Sequence, residues 1–183
     1  MKYYWALLTS VIILIPCHLF AGPRKGFFIG SGIGPGFVSY QEEIGSGNDI
    51  TLVRRNKAAL DVEILKFGYG FSNHFLLHLS VLKLCSYNSV SSAGFRSVGI
   101  FDAIGLTYYL QSQAPSIFIS GSFGIPIYDE NIEYDVFTDN VIGASMGVGY
   151  EFKRHWNAEL EYKTEPEKGL FWSLSLRVNF LLY

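Results

Sequence analysis

The chain has 183 residues, with 14 Lys and Arg against 16 Asp and Glu, a formal net charge of −2 and no dense basic run, which argues against a nucleic-acid partner. Hydrophobic residues make up 49% and aromatics 16%, yet beyond the first twenty residues no apolar stretch is long enough for a helical membrane span. Two cysteines, Cys17 and Cys85, exclude a disulfide framework.

Met1-Lys2 followed by the apolar run from Tyr3 to Phe20 reads as a signal peptide, with cleavage after Ala21 or after Gly22. An uncleaved anchor is the alternative. Cys17 follows Leu14-Ile15-Pro16, which fits a lipobox poorly because a proline stands where a small residue is needed. Removing 21 of the 183 residues leaves 162, a single domain spanning 22–183, and takes Cys17 away, so Cys85 has no partner for an internal disulfide.

The rest of the chain predicts eight strands, at 26–40, 58–71, 74–87, 98–110, 116–127, 141–152, 157–163 and 170–182. In the first, Gly30, Gly32, Gly34 and Gly36 recur at every second residue. That is not the spacing of a phosphate loop, and no helix signal follows, so we read them as inward glycines that leave room for long side chains. The second strand changes phase: Leu60, Val62 and Ile64 lie on one parity and Leu65, Phe67, Tyr69 and Phe71 on the other. One extra residue exchanges the faces of a strand, which predicts a bulge at Ile64-Leu65. In the fourth strand Asp102 falls on the apolar parity of Ile100, Ile104 and Leu106, which places it near a rim or signals a shifted register.

The last strand has the clearest pattern. Leu170, Trp172, Leu174, Leu176, Val178, Phe180 and Leu182 alternate with a largely polar set that includes Ser173, Ser175, Arg177 and Asn179. The sixth and seventh strands repeat it, with Met146, Val148, Tyr150 and Phe152, then Leu160 and Tyr162, on the apolar parity. One face suited to acyl chains, one polar face and aromatics at both strand ends describe strands that cross a bilayer around a polar lumen. Connectors after strands two, four and six are short and those after the odd strands mostly longer, as in barrels with short periplasmic turns and longer external loops. The fold class is therefore all-β: an eight-stranded antiparallel up-and-down transmembrane barrel behind a cleaved signal peptide.

Gly147-Val148-Gly149-Tyr150-Glu151-Phe152, a short turn, Ala158-Glu159-Leu160-Glu161-Tyr162 and the final alternating strand resemble the small outer-membrane barrels of the opacity-protein, OmpA-domain and OmpX-like superfamily. The resemblance implies an integral outer-membrane protein of a Gram-negative envelope, in contact with lipid and lipopolysaccharide and delivered by the barrel assembly machinery. It also implies a C-terminal assembly signal. Phe180 is the aromatic in phase with the outward set, while Tyr183 ends the chain out of phase.

The inward parity collects Asp61, Glu63, Lys66, Glu151, Glu159, Glu161, Lys163 and Arg177. Eight strands enclose a space that side chains nearly fill, so these charges predict a salt-bridge network; if the lumen conducted, its net acidity would favour cations. His78 and Ser80 share a strand face, where an imidazole beside a hydroxyl would suit a nucleophile. His78-Leu79-Ser80 is similar to the His-x-Ser element of lipid A deacylase barrels, which lies late in the chain and continues with Asn, whereas this one lies in the third strand and continues with Val81. No cofactor is expected, and His74 and His155 have no metal-ligand spacing around them. Predicted loops 41–57, 88–97 and 129–140 would carry recognition. Arg54, Arg55 and Lys57 in the first suit lipopolysaccharide phosphates, and Asp135 and its acidic neighbours in the last suit divalent cations. The sequence thus favours a non-enzymatic barrel serving envelope integrity or contact with a host or surface ligand; the rival readings are an acyl hydrolase and a narrow cation channel.

Overall fold

A sheet whose every strand has one apolar and one polar face exposes two unpaired edges unless it closes on itself. The computed structural model describes residues 24–44, 51–89, 94–127, 142–164 and 171–183, and in it the sheet closes. The predicted signal peptide and the acidic stretch 129–140 with Asp135 lie outside the described residues. The strands are β1 Gly26–Ile44, β2 Thr51–Gly70, β3 Phe75–Ser89, β4 Gly94–Tyr109, β5 Ser116–Ile127, β6 Gly143–Lys153, β7 Trp156–Thr164 and β8 Phe171–Leu182. Each pairs antiparallel with the next, and β1 pairs with β8 from Ile29↔Leu182 to Tyr40↔Phe171. Residues 71–74, 110–115 and 154–155 connect strands at one end, the turn end, where Arg24 and Tyr183 also lie.

The bulge in β2 lies where the phase change predicts it. Gly30 pairs with Lys66 and Gly32 with Glu63, so Ile64 and Leu65 together oppose Ser31. A second bulge faces it across the ladder: Ser80 pairs with Ala103 and Lys83 with Phe101, so Val81 and Leu82 oppose Asp102. The β2–β3 ladder itself runs one to one, from Leu65↔Val81 to Glu63↔Lys83. The two insertions therefore match and the pair shifts as a unit. Asp102 pairs with Ile125 in the neighbouring ladder.

The first two hairpins extend further than predicted. The β1–β2 ladder reaches Ile44↔Thr51, although β2 leaves β3 at Leu60. The β3–β4 ladder likewise reaches Ser89↔Gly94. The expected loop 41–57 is thus mainly strand, and Arg54, Arg55 and Lys57 sit on β2, opposite Gln41, Tyr40 and Val38. Their polarity reads as loop in the sequence, but a hairpin that extends past its neighbouring strand needs only its backbone ladder and no outward apolar row.

The outward face is apolar on every strand. Ile33, Phe37, Ile64, Phe67, Leu79, Ile104, Ile119, Phe123, Met146, Val148, Leu160, Leu176 and Val178 are all exposed, and Leu65 joins this face through the bulge. Aromatics bound it at both ends. At the turn end Phe27 meets Tyr69 at 5.1 Å, Phe75 meets Tyr108 at 5.4 Å and Trp156 meets Phe180 at 4.8 Å. At the far end Trp172 meets Phe37 at 5.7 Å and Tyr162 at 6.2 Å. From Trp172 to Phe180 the strand climbs about 26 Å at ~3.3 Å per residue, or ~20 Å along the axis at a tilt of about 40°. With the rings added, this matches an apolar band of about 25 Å.

Inside, the first-strand glycines face the lumen, but Gly34 makes room for the β8 backbone and not for a long side chain. A Cβ on Gly32 would meet the Asn179 amide at 1.9 Å, and one on Gly34 would meet the Leu176 carbonyl oxygen at 1.9 Å. Phe28, Leu76, Tyr109, Phe118, Leu181 and Tyr183 fill the turn end as an apolar plug, and Gly149 leaves room for the Phe118 ring.

Candidate functional site

Above this plug the lumen is ionic. Asp61, Glu63, Lys66, Glu159, Glu161, Lys163 and Arg177, all placed inward by sequence parity, are buried together. Arg177 on β8 is the hub. Its Nη2 donates to Glu159 Oε2 at 3.0 Å and lies 2.9 Å from Glu161 Oε2, while its Nη1 lies 3.5 Å from Glu63 Oε2 and 3.7 Å from Asp61 Oδ1. The last two distances are those of ion pairs without a directed hydrogen bond, so charge attraction holds β8 to β2 across the lumen. Lys163 donates to Asp61, tying β7 to β2, and Lys66 lies 3.5 Å from Glu63. Hydroxyls and amides complete the carboxylates: Ser120 donates to Glu159 Oε1, Ser145 to Glu161 Oε1 at 2.9 Å, and Asn179 Nδ2 to Glu159 Oε2 at 3.0 Å.

Two cations escape a reading by parity. Lys83 belongs to the lumen, 2% exposed, and donates to Glu161 Oε1 at 2.5 Å, because the Val81-Leu82 bulge turns it inward. A lysine between Leu82 and Leu84 in a strand rich in apolar residues is itself the signal that could have revealed that bulge. Arg24 precedes β1 and folds back into the turn end at 1% exposure. It bonds Glu151 through Nε and Nη2, donates from Nη1 to the carbonyls of Asn73 and Gln111, and lies 3.9 Å above the Tyr109 ring. Glu151 therefore leaves the central network and belongs to this seat.

These additions correct the expected acidity of the lumen. Among the described residues, Asp61, Glu63, Glu159 and Glu161 face Lys66, Lys83, Lys163 and Arg177, and Glu151 faces Arg24. Among the described residues these charges balance, so the expected net acidity is not found there.

His78 and Ser80 both point inward, at 3% and 1% exposure, but they do not form a catalytic pair. The single Ser80 hydroxyl proton goes to Glu63 Oε1 at 2.6 Å, and His78 Nδ1 has no hydrogen-bond partner among the described residues. A hydrolase acting on membrane acyl chains needs its nucleophile within reach of them, whereas Ser80 is enclosed. The His74 ring bonds the Tyr109 carbonyl at 2.7 Å and the His155 ring that of Leu181 at 2.8 Å, so both fasten turns. Among the described residues no three His, Cys, Asp or Glu side chains are grouped to hold a metal.

The two C-terminal aromatics point opposite ways. Phe180 lies on the outward face against Trp156, whereas Tyr183 is 3% exposed, with its hydroxyl 3.3 Å from that of Tyr109. Burial pushes the Tyr183 phenol above its usual range and keeps its proton in place. Arg54 and Asn56 share the outward parity of Leu60, while Arg55 and Lys57 share that of Asp61.

No family of known sequences matches the chain, and no curated protein does. Among solved structures it is similar to the N-terminal β-barrel domain of Pseudomonas aeruginosa OprF, with 18% identity, a TM-score of 0.45 and coverage of 83% of this chain and 96% of that one. It is also similar to the outer membrane protein OprG of Pseudomonas aeruginosa, with 12% identity, a TM-score of 0.44 and coverage of 88% and 98%. A third is Ail, the attachment invasion locus protein of Yersinia pestis, with 12% identity, a TM-score of 0.41 and coverage of 85% and 98%.

Proposed function

We propose that this chain is an integral protein of a bacterial outer membrane, non-enzymatic, which serves envelope integrity or contact with a surface ligand through the hairpins and loops at its far end. The observation that carries the reading is the outward apolar row on all eight strands, bounded by aromatics at both ends and wrapped around a charge-balanced interior. A soluble barrel would leave those side chains in water. A buried, self-paired interior leaves the projecting β1–β2 and β3–β4 hairpins as the parts able to meet a partner. Arg54 stands outward beyond the Phe37–Trp172 girdle, at the height where lipopolysaccharide phosphates would lie. Phe180, outward and in phase, is the aromatic offered to the assembly machinery.

The test is a deletion strain scored for detergent sensitivity and for adhesion. We expect a defect in at least one, restored by the unaltered chain and not by a variant whose first hairpin is cut back so that a short turn joins Tyr40 to Ala58. Unchanged behaviour in both assays would overturn the reading.

A further inference from the structure

A cavity of about 510 Å³ opens at the turn end, lined by Arg24, Gln113, Glu151, Phe152, Lys153 and Arg154 among others. Arg24 and Glu151 neutralise one another within it. Lys153 and Arg154, at the β6–β7 turn, are exposed, and neither has a carboxylate partner among the described residues. Beside them Phe152, 44% exposed, ends the lipid-facing row of Met146, Val148 and Tyr150. The mouth of the cavity thus combines two uncompensated cations with an apolar wall at the edge of the hydrocarbon band. A water-soluble anion would make no use of that wall, and a zwitterionic lipid would leave the cations without a net counter-charge.

We propose that this cavity holds the phosphate of an anionic phospholipid in the leaflet at the turn end, with Lys153 and Arg154 as its counter-charges and the Tyr150–Phe152 row as the seat of its acyl chains. The inference rests on the membrane reading above and adds a lipid class and a site to it. Gln113 supplies an amide donor to the same headgroup. Two cations near an anionic headgroup enrich it by about fivefold each.

Trp156 provides the measurement, since it lies at the turn end two residues from Arg154, while Trp172 lies at the far end. The mature chain carrying Trp172→Phe is reconstituted in phosphatidylcholine vesicles. These contain an equal minor fraction of either brominated phosphatidylglycerol or brominated phosphatidylcholine. We expect several-fold stronger quenching of Trp156 by the brominated phosphatidylglycerol. The excess should vanish in the Lys153→Gln/Arg154→Gln variant and at high salt, and persist in Lys57→Gln at the opposite end. Equal quenching by the two lipids, or an excess that survives both the double substitution and salt, would overturn the proposal. The salt arm needs no substitution, so it stands even if the double variant fails to close. Quenching by neither lipid would instead overturn the membrane reading, and the inference with it.

Discussion

Arg177 answers to four carboxylates and is fully buried, so its removal cannot be repaired by water. Arg177→Met should lower the unfolding free energy by about 3–5 kcal/mol, because stranded buried charges cost more than the pair was worth. Lys66→Met should cost distinctly less, since Lys66 reaches a single carboxylate at 3.5 Å and keeps some access to water. Urea titration of the two variants in detergent micelles measures the difference; equal losses would remove Arg177 from the centre of the network. At this scale the sequence was legible wherever alternation ran unbroken. Asp61, Glu63, Glu159, Glu161, Lys163 and Arg177 could be placed inward from parity alone. Lys83 could not, because its direction depends on a bulge, and Arg24 could not, because it precedes the first strand and has no parity.

The paired bulges govern β2 and β3 as a unit. Deleting Leu65 alone regularises β2 against β1 but leaves the Val81-Leu82 insertion opposed by a gap on both sides. Deleting Val81 alone does the reverse. Deleting both leaves the lumen residues beside the bulges on their face and the ladders in step there, with the separate shift between Cys85 and Ser86 untouched. The double deletion should therefore recover the heat-modifiable gel mobility of a closed barrel to a greater extent than either single deletion; a double deletion no better than the singles would show that the insertions are independent. The phase change of Leu60 to Phe71 announced the first bulge in the sequence. The second was hidden, since His78, Ser80 and Lys83 change phase within a run of leucine and valine that suits either face. The ends of the long hairpins were illegible for another reason: beyond the outward apolar row the backbone ladder continues while the side-chain pattern that betrays it stops.

Across the whole molecule, the ionic layer and the apolar plug lie in series along the interior, and we expect them to close the barrel. We expect no steady conductance in a planar bilayer, and none from Arg24→Ala either, because the ionic layer remains in place when the seat is lost. Discrete channel events from the unsubstituted chain would contradict this closure. The plug also records the order in which the barrel can be made. Arg24 reaches Glu151, 127 positions away, together with the turns at Asn73 and Gln111, while Tyr183 reaches Phe28 only when the last strand lies against the first. Such distant partners meet late in folding. The Tyr183–Phe28 contact is therefore a closing stitch, complete only once the seam between β1 and β8 is shut.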